Sequence, residues 1–168
     1  IRAQRPDVVG LQEVDDRAER SGKVPQAAQL GKSLGLHHAF GRFMDFQGGA
    51  YGMAILTRFP IEETHEVRLP EGNEPRSALS VRVRLPDGTP LTIVNVHFDW
   101  VRDDTFRYAQ AEALTKHLDA LKTPYADINN IANVELDVNG QRLVASITVE
   151  AVRELGPDMG QVLVCGYV

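Results

Sequence analysis

Apolar and polar positions change period several times along the chain, and each change predicts an element. "PDVVGLQEV", Pro6 to Val14, is a short β-rich apolar run after a proline and predicts a buried strand. Pro25 opens a helix through "QAAQLGKSL", with Gly35 as its C-cap. "HHAFGRFMDF" and "YGMAILTRF" predict two strands that return on each other across "QGGA". "ETHEVRL", "SALSVRVRL" and "LTIVNVHF" predict three more, the last two joined by the turn "PDGTP". Within "SVRVRL", Val81, Val83 and Leu85 share one face, and Arg82 and Arg84 the other. From Asp103, as cap, the period becomes helical, with Phe106, Ala109, Ala113, Leu114, Leu118 and Leu121 as the apolar stripe. Beyond a boundary near Pro124 the texture is different. Two β runs turn at Asn139-Gly140, Thr148 caps a short helix ending at Gly156, and "QVLVCGYV" reads as a final strand.

Composition narrows the class. At 168 residues, 43% hydrophobic and 24% charged, the chain supports one ordinary core, or one partial domain and a small module. The formal charge of −5 disfavours long nucleic acid as a partner, leaving only a local basic patch for that role. The single cysteine, Cys165, excludes an intrachain disulfide and reads as inert core. No apolar run has the length of a membrane span. A cytoplasmic setting is favoured, although the start "IRAQRPDVV" lacks a methionine and looks cut.

Chemistry enters where polar groups interrupt this pattern. The first strand ends on a carboxylate, Glu13, with the amide of Gln12 beside it. An acid at a strand tip is a candidate ligand for a hard cation, and a plain exposed acid otherwise. In "VNVHFDW", Asn95 and His97 share a face, while Val94, Val96 and Phe98 share the other. A polar Asn-x-His-x-Asp face on an apolar strand needs partners if buried, and needs none if the sheet is open to solvent.

Four segments taken together, "RPDVVGLQEV", "GGAYGMAILTRFPI", "PRSALSVRV" and "LTIVNVHFDW", followed by a helix with "RYAQAEAL", resemble the endonuclease/exonuclease/phosphatase superfamily. The resemblance covers about residues 1–124. It implies a four-layered α/β sandwich and metal-dependent hydrolysis of phosphate esters. It also implies that Glu13 binds Mg²⁺ or Mn²⁺ and that His97 sits beside the scissile phosphate. Arg76 would contact a substrate phosphate and Tyr51 would line the pocket, with Asn95 grouped as substrate-binding. The family continues after its helix into a strand bearing Gly-Asp-x-Asn. Here Asp127 and Asn129 reproduce Asp-x-Asn as catalytic candidates, but they follow "KTP" without that strand, so a loop is expected. The family's first strand and its C-terminal Asp-His pair have no counterpart.

Residues 131–165 are similar to part of the Mop or TOBE molybdate-binding barrel, which would place Ser146 and Thr148 near an oxyanion; Thr148 is equally explained as a helix cap. The fold class expected is therefore α/β (α+β). It would be an incomplete four-layer sandwich over 1–124, followed by a β-hairpin, helix and strand over 125–168. A half-sandwich exposes sheet edges, which predicts homo-oligomers unless the tail covers them. Two functions follow: a metal-dependent phosphoesterase acting on a phosphate-ester substrate, impaired by its missing groups, or a non-catalytic chimeric or oxyanion-binding protein.

Overall fold

The computed structural model describes residues 1, 3, 5–102 and 104–120, with backbone alone at 119–120 and in strands at 132–138, 141–147 and 161–167. β1 (Val8–Asp16), β2 (His37–Phe46) and β3 (Gly49–Thr57) form an antiparallel sheet in the order β1-β3-β2. β4 (Ile61–Arg68), β5 (Ser77–Arg84) and β6 (Pro90–His97) form a second sheet, also antiparallel. The sheets lie face to face. Ala39, Phe43, Met53 and Ile55 of the first meet Leu79, Val81, Val83, Leu91 and Ile93 of the second in the main core.

Among the described residues each outer face carries one α-helix. α1 (Gln26–Leu34) starts after Pro25, stops at Gly35 with φ +70°, and covers Leu11, Val14, Phe40 and Ala54 through Ala27. α2 (Thr105–Ala120) sets Leu114 and Leu118 on Ala78, Val94 and Val96. Helix, sheet, sheet, helix is the four-layered sandwich that the sequence led us to expect. The alternation in β5 holds, with Val81 and Val83 buried and Arg82 and Arg84 exposed. The stripe on α2 holds at Phe106, Ala113, Leu114 and Leu118 but not at Ala109, which is exposed while Gln110 beside it is fully buried. The amide of Gln110 explains this: it accepts from Asp99 N at 2.9 Å and donates to Pro70 O at 3.2 Å.

The turn between β2 and β3 uses Gln47 and Gly48, both at positive φ, as a two-residue hairpin loop requires. β7 (Ala132–Val138) and β8 (Gln141–Ile147) pair antiparallel, with Val138 opposite Gln141; the turn expected at Asn139-Gly140 lies outside the described residues. The last strand, β9 (Gln161–Tyr167), runs parallel to β6, with Leu91 opposite Gln161 and His97 opposite Tyr167. It covers the edge of β6 whose exposure would have favoured strand swapping. The boundary at Pro124, the helix from Thr148, the Asp103 cap, Leu121 and the Ser146 and Cys165 side chains lie outside what is described.

Candidate active site

One end of the sandwich is built differently from the core. The inward face of β6 begins as hydrocarbon, Leu91 and Ile93, and continues as Asn95 and His97, both buried. Opposite them, both neighbours of β3 bulge. β1 slips register between Leu11 and Val14, and β2 between Arg42 and Met44, each gaining one residue against the level of Gly52. Only glycine fits at that level, because a Cβ on Gly52 would lie 1.9 Å from the Gly41 carbonyl oxygen.

The bulge in β1 places Glu13 at φ +57°, a left-handed conformation uncommon for a residue with a side chain. It turns the carboxylate toward His97, with Glu13 Oε1 3.6 Å from His97 Nε2, while the acid stays 66% exposed. Asn95 holds the bulge from across the sandwich. Its amide donates to Leu11 O and Ala54 O, both at 3.0 Å, and its oxygen accepts from Gln12 Nε2 at 2.7 Å. The amide we grouped with substrate contacts is therefore committed to the frame that aims Glu13.

The bulge in β2 delivers Phe43, a residue that sequence reasoning had not singled out. Its ring lies 5.9 Å from that of Tyr51 and 6.1 Å from that of His97, and the Arg76 guanidinium sits 5.2 Å from its centroid. Arg76 is 2% exposed, with Nη2 3.1 Å from Glu74 Oε2 and with Nε and Nη1 buried and without a hydrogen-bond partner. Buried N–H groups of a guanidinium that lack partners are costly, and an oxyanion is a group that can satisfy them. Burial, then the charge of Glu13 and a hydrogen bond with it, push the Tyr51 phenol up to about 12. Tyr51 therefore keeps its proton at ordinary pH.

Asp99 fixes the loop that presents Arg76. It is 1% exposed and accepts from the backbone N–H groups of Asn73, Glu74 and Val101 at 2.6, 3.3 and 3.1 Å. Burial alone would raise its carboxyl, but those amide bonds and the nearby Arg76 charge bring it below the ordinary value. On the other side Asp15 grips Arg20 through two bonds of 2.8 and 2.9 Å, and Arg20 stacks over Phe46 and Tyr51 at 4.5 and 5.2 Å. The Arg20 hydrogen bonds hold the Asp15 carboxyl low.

The structure thus brings together Glu13, Tyr51, Arg76, Asn95 and His97, which lie far apart in sequence. Asp127 and Asn129 lie outside the described residues. A cleft of about 580 Å³ opens at the β2–β3 turn, lined by Arg17, Arg42, Asp45 and Phe46 among others. Glu13, Arg76 and His97 do not line it, so the chemistry is assigned from side chains and not from concavity. Among the described residues no three His, Cys, Asp or Glu side chains converge as a metal cage. Glu13 nonetheless fits Mg²⁺ or Mn²⁺, since hard cations of this kind take one or two carboxylates and complete their shell with water and phosphate oxygen.

Residues 1–129 match the model of the Endonuclease/Exonuclease/phosphatase family. Comparison with curated proteins gives no match. Among solved structures, an endonuclease/exonuclease/phosphatase from Beutenbergia cavernae superposes with a TM-score of 0.61 at 25% identity, over 80% of this chain and 42% of that one. The human Nocturnin catalytic domain with bound sulfate anion gives 0.57 at 21%, over 71% and 47%. ANGEL2, a 2',3'-cyclic phosphatase, gives 0.59 at 18%, over 74% and 36%. The chain spans less than half the length of each. With the match running from the first residue through both sheets and α2, the chain belongs to the endonuclease/exonuclease/phosphatase family.

Proposed function

We propose that this chain carries a phosphoesterase site supported by Mg²⁺ or Mn²⁺, built on Glu13, Arg76 and His97. The observation that carries this reading is the buried Arg76 guanidinium with two unmatched nitrogens, Nε and Nη1, which shares the Phe43 ring with the His97 of a Glu13–His97 pair at 3.6 Å. Arg76 takes the non-bridging oxygens of the phosphate, where negative charge grows in the transition state. The Nε2 atom of His97 holds a proton for the departing oxygen. Glu13 holds the cation, and the protonated Tyr51 steadies that carboxylate. The bound ion supplies Lewis acidity at a phosphoryl oxygen. In this reading Asp127 and Asn129 have the part of aiming the attacking water.

Turnover in this reading is slow. No described residue near Glu13 stands as a base for that water, and a positioned base contributes about 10²–10⁴-fold. Phosphate esters of small alcohols suit the net charge of −5 better than long nucleic acid does. The same unmatched N–H groups on Arg76 favour a second reading, in which the site binds an oxyanion without chemistry.

The test is hydrolysis of an aryl phosphodiester with and without Mg²⁺ or Mn²⁺, by the native chain and by Glu13→Gln. Cation-dependent turnover that falls about 10²-fold or more in the variant supports the esterase. Phosphate binding lost on Arg76→Met, with no turnover in either protein, supports the oxyanion reading instead.

A further inference from the structure

We infer that Glu74 makes this site selective for phosphodiesters over phosphomonoesters, by acting as an internal anion that already occupies Arg76. The inference rests on the phosphoesterase reading and names its substrate class.

Arg76 is the cation that the structure buries at the site, and it does not face an incoming phosphate alone. Glu74 Oε2 stands 3.1 Å from Nη2, and the Glu74 side chain is 36% exposed while Arg76 is 2% exposed. The carboxylate is thus the more exposed partner of the pair, and it occupies Nη2 before any phosphate arrives. It is not a loose surface acid. The loop beneath it is pinned where Asp99 accepts from Glu74 N and Asn73 N, and the loop closes where Leu69 N donates to Arg76 O at 3.0 Å. The charges of Glu13 and Glu74 both act on the Tyr51 phenol, which stands edge-on to Phe43 at 5.9 Å.

Arg76 therefore meets an incoming anion with one carboxylate already paired to it, and a second, Glu13, acts on the same Tyr51 phenol as Glu74. Nε and Nη1 remain to bind oxygen atoms, but the net charge of Arg76 is already balanced by Glu74. A phosphodiester brings a single negative charge, the amount that Glu74 itself presents to the guanidinium. A monoester carries close to two above pH 7, its second pKa being about 6. The additional charge gains nothing from a matched Arg76 and meets the fields of Glu74 and Glu13. For charges a few ångströms apart near a protein surface, one unit of repulsion corresponds to roughly tenfold in affinity.

The experiment uses the whole chain and Glu74→Gln, which keeps the shape and the oxygen facing Arg76 while removing the charge. Binding of dimethyl phosphate and of methyl phosphate is followed at pH 8 by NMR titration without added metal. Hydrolysis of bis(4-nitrophenyl) phosphate and 4-nitrophenyl phosphate is followed with Mg²⁺. The native chain is expected to favour the diester by about tenfold, and Glu74→Gln to raise monoester binding and turnover by a similar factor while diester values move less than about threefold. Both probes bound with an unchanged ratio in Glu74→Gln would overturn this inference and leave the phosphoesterase reading standing. Neither probe bound by either protein, with no turnover, would overturn both.

Discussion

β5 and β6 run against each other from Ala78 opposite Val96 to Arg84 opposite Pro90 without a break in register. In the facing sheet, β1 and β2 each insert one residue where they pass Gly52 of β3. The regular pair fills the core with hydrocarbon, Leu79, Val81, Val83, Leu91 and Ile93. The irregular level presents Glu13 from one bulge and Phe43 from the other, with Tyr51 beside them. Strict pairing forces side chains to alternate between faces, and one extra residue releases a strand from that rule. The reactive end is thus made by breaking register in β1 and β2 while the β5–β6 pair facing them stays regular; the second sheet's own irregularity lies in β4, between Ile61 and Glu63. Asn95 ties the two together, reaching from the regular pair to carbonyls of the bulged sheet.

The comparison is broken most completely at Gly52. Gly52→Ala would set a methyl group 1.9 Å from the Gly41 carbonyl oxygen, and backbone does not yield as a flexible side chain does. The expected result is loss of the first sheet, seen as failure to fold or a thermal midpoint lowered by more than about 10 °C. A variant that melts within about two degrees of the native chain would show that the paired bulges relax freely.

A smaller effect separates the two halves of the inward face of β6. Asn95→Leu leaves the carbonyls of Leu11 and Ala54 without its two donated bonds inside the protein. The cost is about 2–4 kcal/mol, read from the urea midpoint, with Mn²⁺ affinity falling along with it as Glu13 loses its frame. Ile93→Val, two residues earlier on the same face, is expected to cost about 1 kcal/mol and to leave Mn²⁺ affinity unchanged. Equal costs for the two substitutions would remove Asn95 from its linking role.

What the sequence made legible divides along the same line. The strands, α1 and the two faces of β5 follow from local periods of two and 3.6 residues, which the chain states directly. Asn95 and His97 were readable as one face, but the partners of Asn95 are backbone carbonyls from residues more than forty positions away. Phe43 reads locally as one more core aromatic, and its place beside His97 and Arg76 depends on a bulge fixed by the register of three strands. Gln110 defeats a stripe drawn from hydrophobicity, because a buried amide is held by bonds to Asp99 and Pro70 and not by apolarity. The parallel pairing of β9 with β6 joins segments about seventy residues apart, which no local pattern announces. Glu13 and His97 stood out as polar groups interrupting apolar strands, whereas Arg76 and Tyr51 were named through family resemblance alone, since each is an ordinary residue in an ordinary place.

The smallest effect compares two buried acids, one in each region. Asp99 is held by three backbone amides around the loop that leads into β5, and Asp15 by the half-exposed Arg20 beside the bulged sheet. Both carboxyls lie below the ordinary value near 3.8. A lowered folded-state value means that the unfolded chain takes up the proton first. Each acid therefore gives its full stabilisation above about pH 4 and loses it as the pH falls through the folded-state value. Asp99→Asn replaces an oxygen that accepts amide bonds by a donor, so it is expected to cost about 1–3 kcal/mol at pH 7. That difference from the native chain should narrow below pH 4. Asp15→Asn should cost less at pH 7, because water and salt screen an arginine at the surface, and its cost should shrink further in 0.5 M NaCl while that of Asp99→Asn does not. Urea midpoints at two pH values and two salt concentrations separate them. If salt affects both equally, the amide cage around Asp99 is open to solvent, and the end of the regular β5–β6 pair is no better a platform for Arg76 than the bulged sheet would be.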